Sequence, residues 1–472
     1  MQVSLLKSCT VLCQIARRIA AVQRPPRAQY AYLEDSDLRK FDTLLGSKNV
    51  QIHDLDPFNC VLFPSNYDQV SQIVSHCYSR NLAVVPQSGN TGLVGGSVPV
   101  YDEVIVSLKK LNKRFIFNPD SGVLDCDAGF VLEEVDTRLS ACGYMMPWDL
   151  GSRGSCLIGG NISTCVGGIR HLRFGSLHDH ILGLDVVLAD KNGSVVNFGS
   201  VLQKDNSSLH THHIFIGAEG QLGIIVGAKI HAAPRPTVTQ VMMLDSESCL
   251  KILRLARGHL CEILSAVELM DLECMRCLWE KKQMKSVLTT NPAFTILIET
   301  MGTNEAHDKE KAEQFLAKVV DQGICSDGVQ AENSQEAAYM WKLRKTIPIA
   351  TMQDSYVYKC DISLPMEHFF VLSDVIRQRI KDLAQRICIF GHFAESDLHL
   401  NVVCDTYSPE VTASLYPFIW NWVKERGGSN SSEHGVGQEL RSCLELDKNY
   451  EIAKQIKKVF DPRGILSPYK MF

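Results

Sequence analysis

Three glycine-rich segments fall within residues 86–225, and ordinary turns do not account for all of them. The first is Pro86-Gln87-Ser88-Gly89-Asn90-Thr91-Gly92-Leu93-Val94-Gly95-Gly96-Ser97, directly after an apolar run that reads as a strand. The second begins Gly151-Ser152-Arg153-Gly154-Ser155-Cys156 and continues through Gly159-Gly160-Asn161, Thr164 and Gly167-Gly168. The third is Gly217-Ala218-Glu219-Gly220-Gln221-Leu222-Gly223-Ile224-Ile225. Glycine lets a backbone approach a ligand closely and turn its N–H groups toward phosphate oxygens. The first loop lacks the Gly-Lys-[Ser/Thr] of a Walker A loop, and its G-x-x-G-x-x-G-G spacing is not the Rossmann fingerprint. Several close backbone approaches suit a long cofactor carrying a pyrophosphate and two ring systems. The loops point to a dinucleotide.

A chain of 472 residues is too long for one core and predicts two or three domains. Its net charge of -5 gives no footprint for nucleic acid or an anionic membrane, and no apolar run is long enough to span a bilayer. The 17 cysteines are odd in number and lack framework spacing. Cys274 and Cys277 form the one C-x-x-C, read as ordinary helical residues because no second pair accompanies them. N-x-[ST] matches at Asn161, Asn192, Asn206 and Asn430 carry meaning only in a secreted chain. Residues 1–33 hold Lys7, Arg17, Arg18, Arg24 and Arg27 and no acid, with Leu5, Leu6, Leu12, Ile15 and Ile19 at helical spacing. That is the pattern of a mitochondrial presequence, the alternative being a disordered basic terminus.

From 34 to 236, short apolar runs alternate with glycine turns, with strands expected at 60–63, 82–86, 104–107, 124–127 and 182–189 and a helix at 67–79. Ala232-Ala233-Pro234-Arg235-Pro236 reads as a linker. Beyond it, strands are expected at 294–300, 356–364, 386–393 and 398–403, and helices at 305–321, 334–345 and 449–460. The whole reads as α+β.

Gly391-His392-Phe393-Ala394-Glu395-Ser396-Asp397-Leu398-His399-Leu400-Asn401 places two histidines seven apart. On one continuous strand that odd offset would put them on opposite faces. If residues 394–397 form a four-residue hairpin loop, His392 opposes His399 and the two share a face, Cβ atoms about 5 Å apart. Asn401 would share it too. Two imidazoles so placed could hold a metal ion, or could simply be polar residues of an exposed hairpin. A carboxylate from Ser432-Glu433-His434-Gly435-Val436-Gly437 would complete a His₂Glu set with open positions for substrate. His434 has the chemistry of a general base near neutral pH, or is a solvent-exposed loop histidine.

The glycine loops, Pro147-Trp148-Asp149-Leu150-Gly151 and Leu184-Asp185-Val186-Val187-Leu188-Ala189-Asp190 resemble flavoproteins of the vanillyl-alcohol-oxidase type, in their D-2-hydroxy-acid dehydrogenase branch. The resemblance runs from about Tyr67 to the C-terminus. It implies a two-part FAD-binding domain (34–236) and an α+β substrate and metal domain (237–440). A C-terminal segment (441–472) would return to the first. It implies FAD without a Rossmann motif, and non-covalent, because the first loop lacks the histidine that covalent members use. Cofactor contacts would then come from Pro86, Gly89, Asn90, Thr91, Gly92, Gly95, Gly96 and Ser97 of the first loop. The second would add Gly151, Gly154, Ser155, Gly159, Gly160, Asn161, Thr164, Gly167 and Gly168, and the third Glu219, Gly220, Gly223 and Ile225.

By the same resemblance the metal ligands fall on His392, His399 and Glu433, the metal being divalent and zinc the expectation. His434 becomes the base, and Arg344, Lys359 and Asn401 become substrate contacts. Arg344 could instead belong to a solvated helix face; Lys359 is placed on its strand's polar face, with Asp361 on the other side. Implied too are oxidation of a D-2-hydroxy acid (D-2-hydroxyglutarate, with D-lactate as the alternative), electron-transfer flavoprotein as acceptor, the mitochondrial matrix and a homodimer. Three departures stand out. Ala394-Glu395-Ser396-Asp397 replaces the usual Gly-Asp-Gly-Asn, Pro348 replaces a substrate-binding threonine and should disturb its helix end, and Ser467 replaces an asparagine. These leave a degenerate flavin-binding protein as a further reading. The ether-lipid synthases share the fold, but the paired histidines argue against their transfer chemistry.

Overall fold

The computed structural model describes residues 25–53, 59–353, 355–444 and 449–472, so most of the expected presequence lies outside the described residues. Mixed helices and sheets make up two compact units, and the chain passes between them more than once. Unit 1 comprises residues 1–167, 176–235 and 433–472; unit 2 comprises 168–175 and 236–432. Glu433 and His434, expected in the substrate domain, therefore open the last segment of unit 1.

Among the described residues unit 1 holds two large sheets and a two-stranded one. In the first, β1 (Val50–His53) pairs antiparallel with β2 (Asn59–Leu62), while β2 and β3 (Val84–Gln87) both lie parallel to β4 (Val104–Ser107). Successive parallel strands of one sheet need a crossover, which α1 (Tyr67–Arg80) supplies between β2 and β3 on either side of β4. Asn66 caps α1 at its N-terminus and Asn81, in the left-handed conformation, ends it. Val70, Ile73, Val74 and Cys77 face the sheet at helical spacing and are fully buried. The chain end joins this sheet, because Val84 donates to the Ile465 carbonyl and Ser467 donates to that of Val84.

The second sheet is antiparallel, in the order β5-β6-β9-β7-β8, with β5 Phe115–Asn118, β6 Val123–Asp127, β7 Ile181–Val187, β8 Val195–Gly199 and β9 Ile224–His231. The expected linker is partly strand, since Ala233 and Pro234 pair with Met145 and Tyr144.

Unit 2 is a seven-stranded antiparallel sheet with helices on both faces. Its strands are β10 (Val238–Ser246), β11 (Leu264–Asp271), β12 (Phe294–Gly302), β13 (Gly328–Gln330), β14 (Tyr356–Ser363), β15 (Arg386–His392) and β16 (Asp397–Cys404). Their order is β13-β10-β12-β11-β15-β16-β14. One face packs against Cys249–His259, Glu305–Asp321, Phe369–Ile380 and Pro409–Glu425. The other meets α2 (Leu272–Lys282) and α3 (Ser334–Thr351). Cys274 and Cys277 are core residues of α2, in line with their helical reading. Helix α3 runs through Pro348 to Thr351 instead of ending at 345. Proline there removes the N–H that would bond the Arg344 carbonyl, yet the helix continues past it. No helix among the described residues is long and apolar enough to cross a membrane.

Candidate active site

The three glycine loops converge within unit 1. A Cβ added at Gly89 would lie 2.5 Å from the Ser155 carbonyl oxygen, and one at Gly160 would lie 2.8 Å from Ser88 Cβ, so the first and second loops touch backbone to backbone. At Gly220 an added Cβ would meet Pro86 at 3.2 Å and Ser467 at 3.3 Å, which brings in the third loop and the chain end. Asn90 adopts φ 54° and accepts a hydrogen bond from the Ser97 hydroxyl, and Gln438 donates to the Gly95 carbonyl. Thr91 and Gly92 lie between these anchors, and Gly96 approaches Glu219. Gly151 and Gly154 lie in the turn before the short helix Ile158–Ser163, which Gly159, Gly160 and Asn161 build and Thr164 closes. Gly167 sits beside Glu433. Three of the expected contacts stand apart: Gly168 belongs to unit 2, Ile225 is core, and Gly223 packs against Val186.

Flavin fits this cradle. Buried Asn161 Oδ1, Ser467 Oγ and Lys470 Nζ have no hydrogen-bond partner among the described residues, in the same region as the glycine backbone. Burial pushes Lys470 down to about 8, against the pull of Glu103 and Glu219. Glu219 itself binds protein. It accepts the backbone N–H groups of Val436 at 2.6 Å and Gly437 at 2.8 Å, and so fixes the loop that carries Glu433 and His434. Burial raises its carboxyl even against those bonds. Gly437, at φ 50°, lies where a side chain would strike the Val94 carbonyl. His434 is about one-third exposed, with Nε2 3.6 Å from Glu433 Oε1.

In unit 2 the polar residues gather on the α2/α3 face of the sheet. The hairpin turns through Phe393–Glu395 and Ser396, the latter at φ 59°. His399 pairs with Phe390, two residues out of the expected register. A shift of two keeps every side chain on its face. His392 and His399 still meet, edge to face, with centroids 5.3 Å apart. The same register sets Asp397 across from His392. Ligand atoms of His392, Asp397 and His399 lie within 4.8 Å of one another, a donor set suited to a divalent ion, and Asp397 was missed because a two-residue error hid it. All three are buried, so the exposed-hairpin alternative is wrong.

Neighbouring strands extend the array. Asp361 opposes His399 and Lys359 opposes Asn401, so Asp361 shares the face of Lys359 instead of lying opposite it. Residues two apart must do so. Asp361 Oδ1 approaches His399 Nδ1 to 3.3 Å. On β11, Glu268 opposes His392 and its Oε1 is 2.6 Å from His392 Nδ1. Its Oε2 accepts from Arg344 Nε, also at 2.6 Å. Burial drives the Glu268 carboxyl up, but Arg344 and His392 outweigh it and hold it below its ordinary value. Arg344 is 6% exposed and rests over the Phe390 ring, so it is no solvated helix residue. Asn401 donates to Thr351 Oγ1 at 3.0 Å, and Lys359 Nζ lies 3.3 Å from Met352 Sδ. Glu268 escaped the sequence reading because its strand did. A lone acid inside Leu264-Ser265-Ala266-Val267-Glu268-Leu269-Met270 was the available signal.

Comparison with known proteins agrees with this geometry. Residues 58–199 match the FAD binding domain model, and residues 235–471 match that of the FAD linked oxidases, C-terminal domain. The probable mitochondrial D-2-hydroxyglutarate dehydrogenase of Oryza sativa subsp. indica is 41% identical over 96% of this chain and 84% of its own. The chain belongs to the D-2-hydroxyglutarate dehydrogenase family of FAD-linked oxidases. The family's mitochondrial member from Rattus norvegicus is 39% identical over 95% of this chain and 86% of its own. Among solved structures, alkyldihydroxyacetonephosphate synthase matches with TM-score 0.73 at 13% identity, over 95% of this chain and 88% of that one. That likeness concerns the fold; with the two family models it gives an FAD-binding domain and a second α+β domain, arranged as in structures of the vanillyl-alcohol-oxidase type such as p-cresol methylhydroxylase, TM-score 0.71 at 16% identity over 93% of this chain and 96% of that one.

Proposed function

We propose that this protein oxidises D-2-hydroxyglutarate to 2-oxoglutarate. The observation that carries this reading is the single buried sheet face on which two imidazoles, a carboxylate, an anchored guanidinium and the Lys359–Asn401 pair converge. FAD, bound non-covalently at the glycine loops, would supply a hydride acceptor for C2, and a divalent ion, zinc, held by His392, His399 and Glu433 would supply a Lewis acid for the C2 hydroxyl and C1 carboxylate. Arg344 and Lys359 bind the substrate carboxylates, and Asn401 orients the substrate between them. Buried surroundings strengthen each of these contacts by excluding water. His434 takes the hydroxyl proton, held in place because Glu219 pins the loop two residues on.

Electrons would leave to electron-transfer flavoprotein in the mitochondrial matrix; the names of the relatives support the mitochondrion. A homodimer is the proposed assembly. Anaerobic addition of D-2-hydroxyglutarate to the yellow protein should bleach the flavin. Bleaching by D-lactate alone would move the assignment to the monocarboxylate, and bleaching by neither would reject dehydrogenation of this substrate class.

A further inference from the structure

We infer that Glu268 is a positioning residue that couples the metal site to the substrate-carboxylate site. The inference rests on the metal and substrate assignments proposed above. Glu268 lies at the centre of its strand, 1% exposed, and both its oxygens are engaged at 2.6 Å, one by His392 Nδ1 and the other by Arg344 Nε. Arginine has no acceptor atom, so that contact fixes the carboxylate as acceptor on one side. On the other side the carboxylate requires Nδ1 of His392 to carry the proton. The ring is thereby held in the tautomer that carries its lone pair on Nε2, the atom that would ligate a metal.

The same bond orients the guanidinium. Arg344 is held by its Nε on Glu268 and lies over Phe390, 4.9 Å from the ring centroid. Its two terminal nitrogens then form the forked edge that recognises a carboxylate. One buried anion thus sets the direction of a metal ligand and of a substrate cation. Glutamine cannot replace it, because an amide offers one acceptor oxygen and would present N–H to the second donor.

The test measures zinc affinity by chelator competition, with KM and kcat for D-2-hydroxyglutarate, in flavin-loaded wild type, Glu268→Gln and His399→Ala. Glu268→Gln should bind zinc about 10–100-fold more weakly and show a KM raised about tenfold, with its flavin retained. A merely structural role would lower the melting temperature and leave zinc affinity and KM unchanged. That result would overturn the inference. If wild type and His399→Ala bind zinc equally, the metal assignment itself falls. Should Glu268→Gln fail to fold, Arg344→Gln carries the test, since Arg344 is itself no proposed metal ligand. A loss of zinc affinity of about fivefold or more supports coupling through Glu268, and an unchanged affinity refutes it.

Discussion

Asn401 donates through Nδ2 to the Thr351 hydroxyl, which in turn donates to the Pro348 carbonyl, so the end of α3 is tied to the middle of β16. Both side chains are buried, at 2% and 1% exposure. Thr351→Val would keep the volume and leave the Asn401 amide without its acceptor. The expected cost is about 1–3 kcal/mol of stability, read as a lower denaturation midpoint, with KM rising more than kcat falls.

Pro348 lies four residues beyond Arg344 on α3 and so shares its side of the helix. Pro348→Thr restores an N–H to the helix and adds a hydroxyl beside the guanidinium. Wild type should prefer D-2-hydroxyglutarate to D-lactate in kcat/KM, and the variant should widen the preference by roughly tenfold, a hydrogen bond to a charged group being worth about 1.5–3 kcal/mol. A wild type that prefers D-lactate would show that the position marks a changed substrate.

Dialysis against a chelator, or His399→Ala, should abolish turnover while the protein stays yellow, because the proposed histidine ligands and the flavin loops belong to different units. Full activity in a metal-free preparation would reject the ion.

Replacing His434 with glutamine should slow flavin reduction by about 10²–10⁴ while substrate affinity changes little. Rapid-mixing spectroscopy of the first turnover measures this directly. An unaltered rate would mean that the hydroxyl proton leaves by another route.

Lys470 makes stability depend on alkaline pH. Its folded value of about 8 lies below the ordinary 10.5, so between them the unfolded chain holds more protons than the folded one. Flavin-free protein should therefore melt at higher temperature as pH rises from 8 toward 10, and Lys470→Met should flatten that slope. If bound flavin places its anionic pyrophosphate near the ammonium, the holoprotein should lose the slope too, which melting curves with and without FAD compare.

Much of the flavin half was legible because its chemistry is written in contiguous loops. Gly89 lies where two loop backbones meet, while Gly160 and Gly220 lie against the side chains of Ser88, Pro86 and Ser467, all in segments that the sequence marks by their glycines. The substrate half was legible in its residues more than in its geometry. His392 and His399 were paired correctly in kind but two residues out of register, since loop length alone does not fix which turn closes a hairpin. Strand β11 was missed because both its faces are buried, which removes the alternation that marks a strand, and Glu268 went with it. Two of the departures fall where the backbone is left-handed. Ser396 and Ser467 both adopt positive φ, at 59° and 43°, where glycine and asparagine are at least cost. Asp397, for the usual asparagine, adds a carboxylate beside the two imidazoles.

Residues 168–175 leave the flavin unit's stretch of sequence and are built into unit 2. Arg170 pairs there with buried Glu299, Ile169 joins the core beneath α2 and α3, and Leu172 packs on the opposite core. The substrate half is therefore not a cassette bounded by one linker. An ancestor that acquired a new substrate domain by a single insertion would have left those side chains facing a stranger. An attempt to graft residues 236–432 onto another flavoprotein should yield an aggregating protein unless the short upstream segment travels with it.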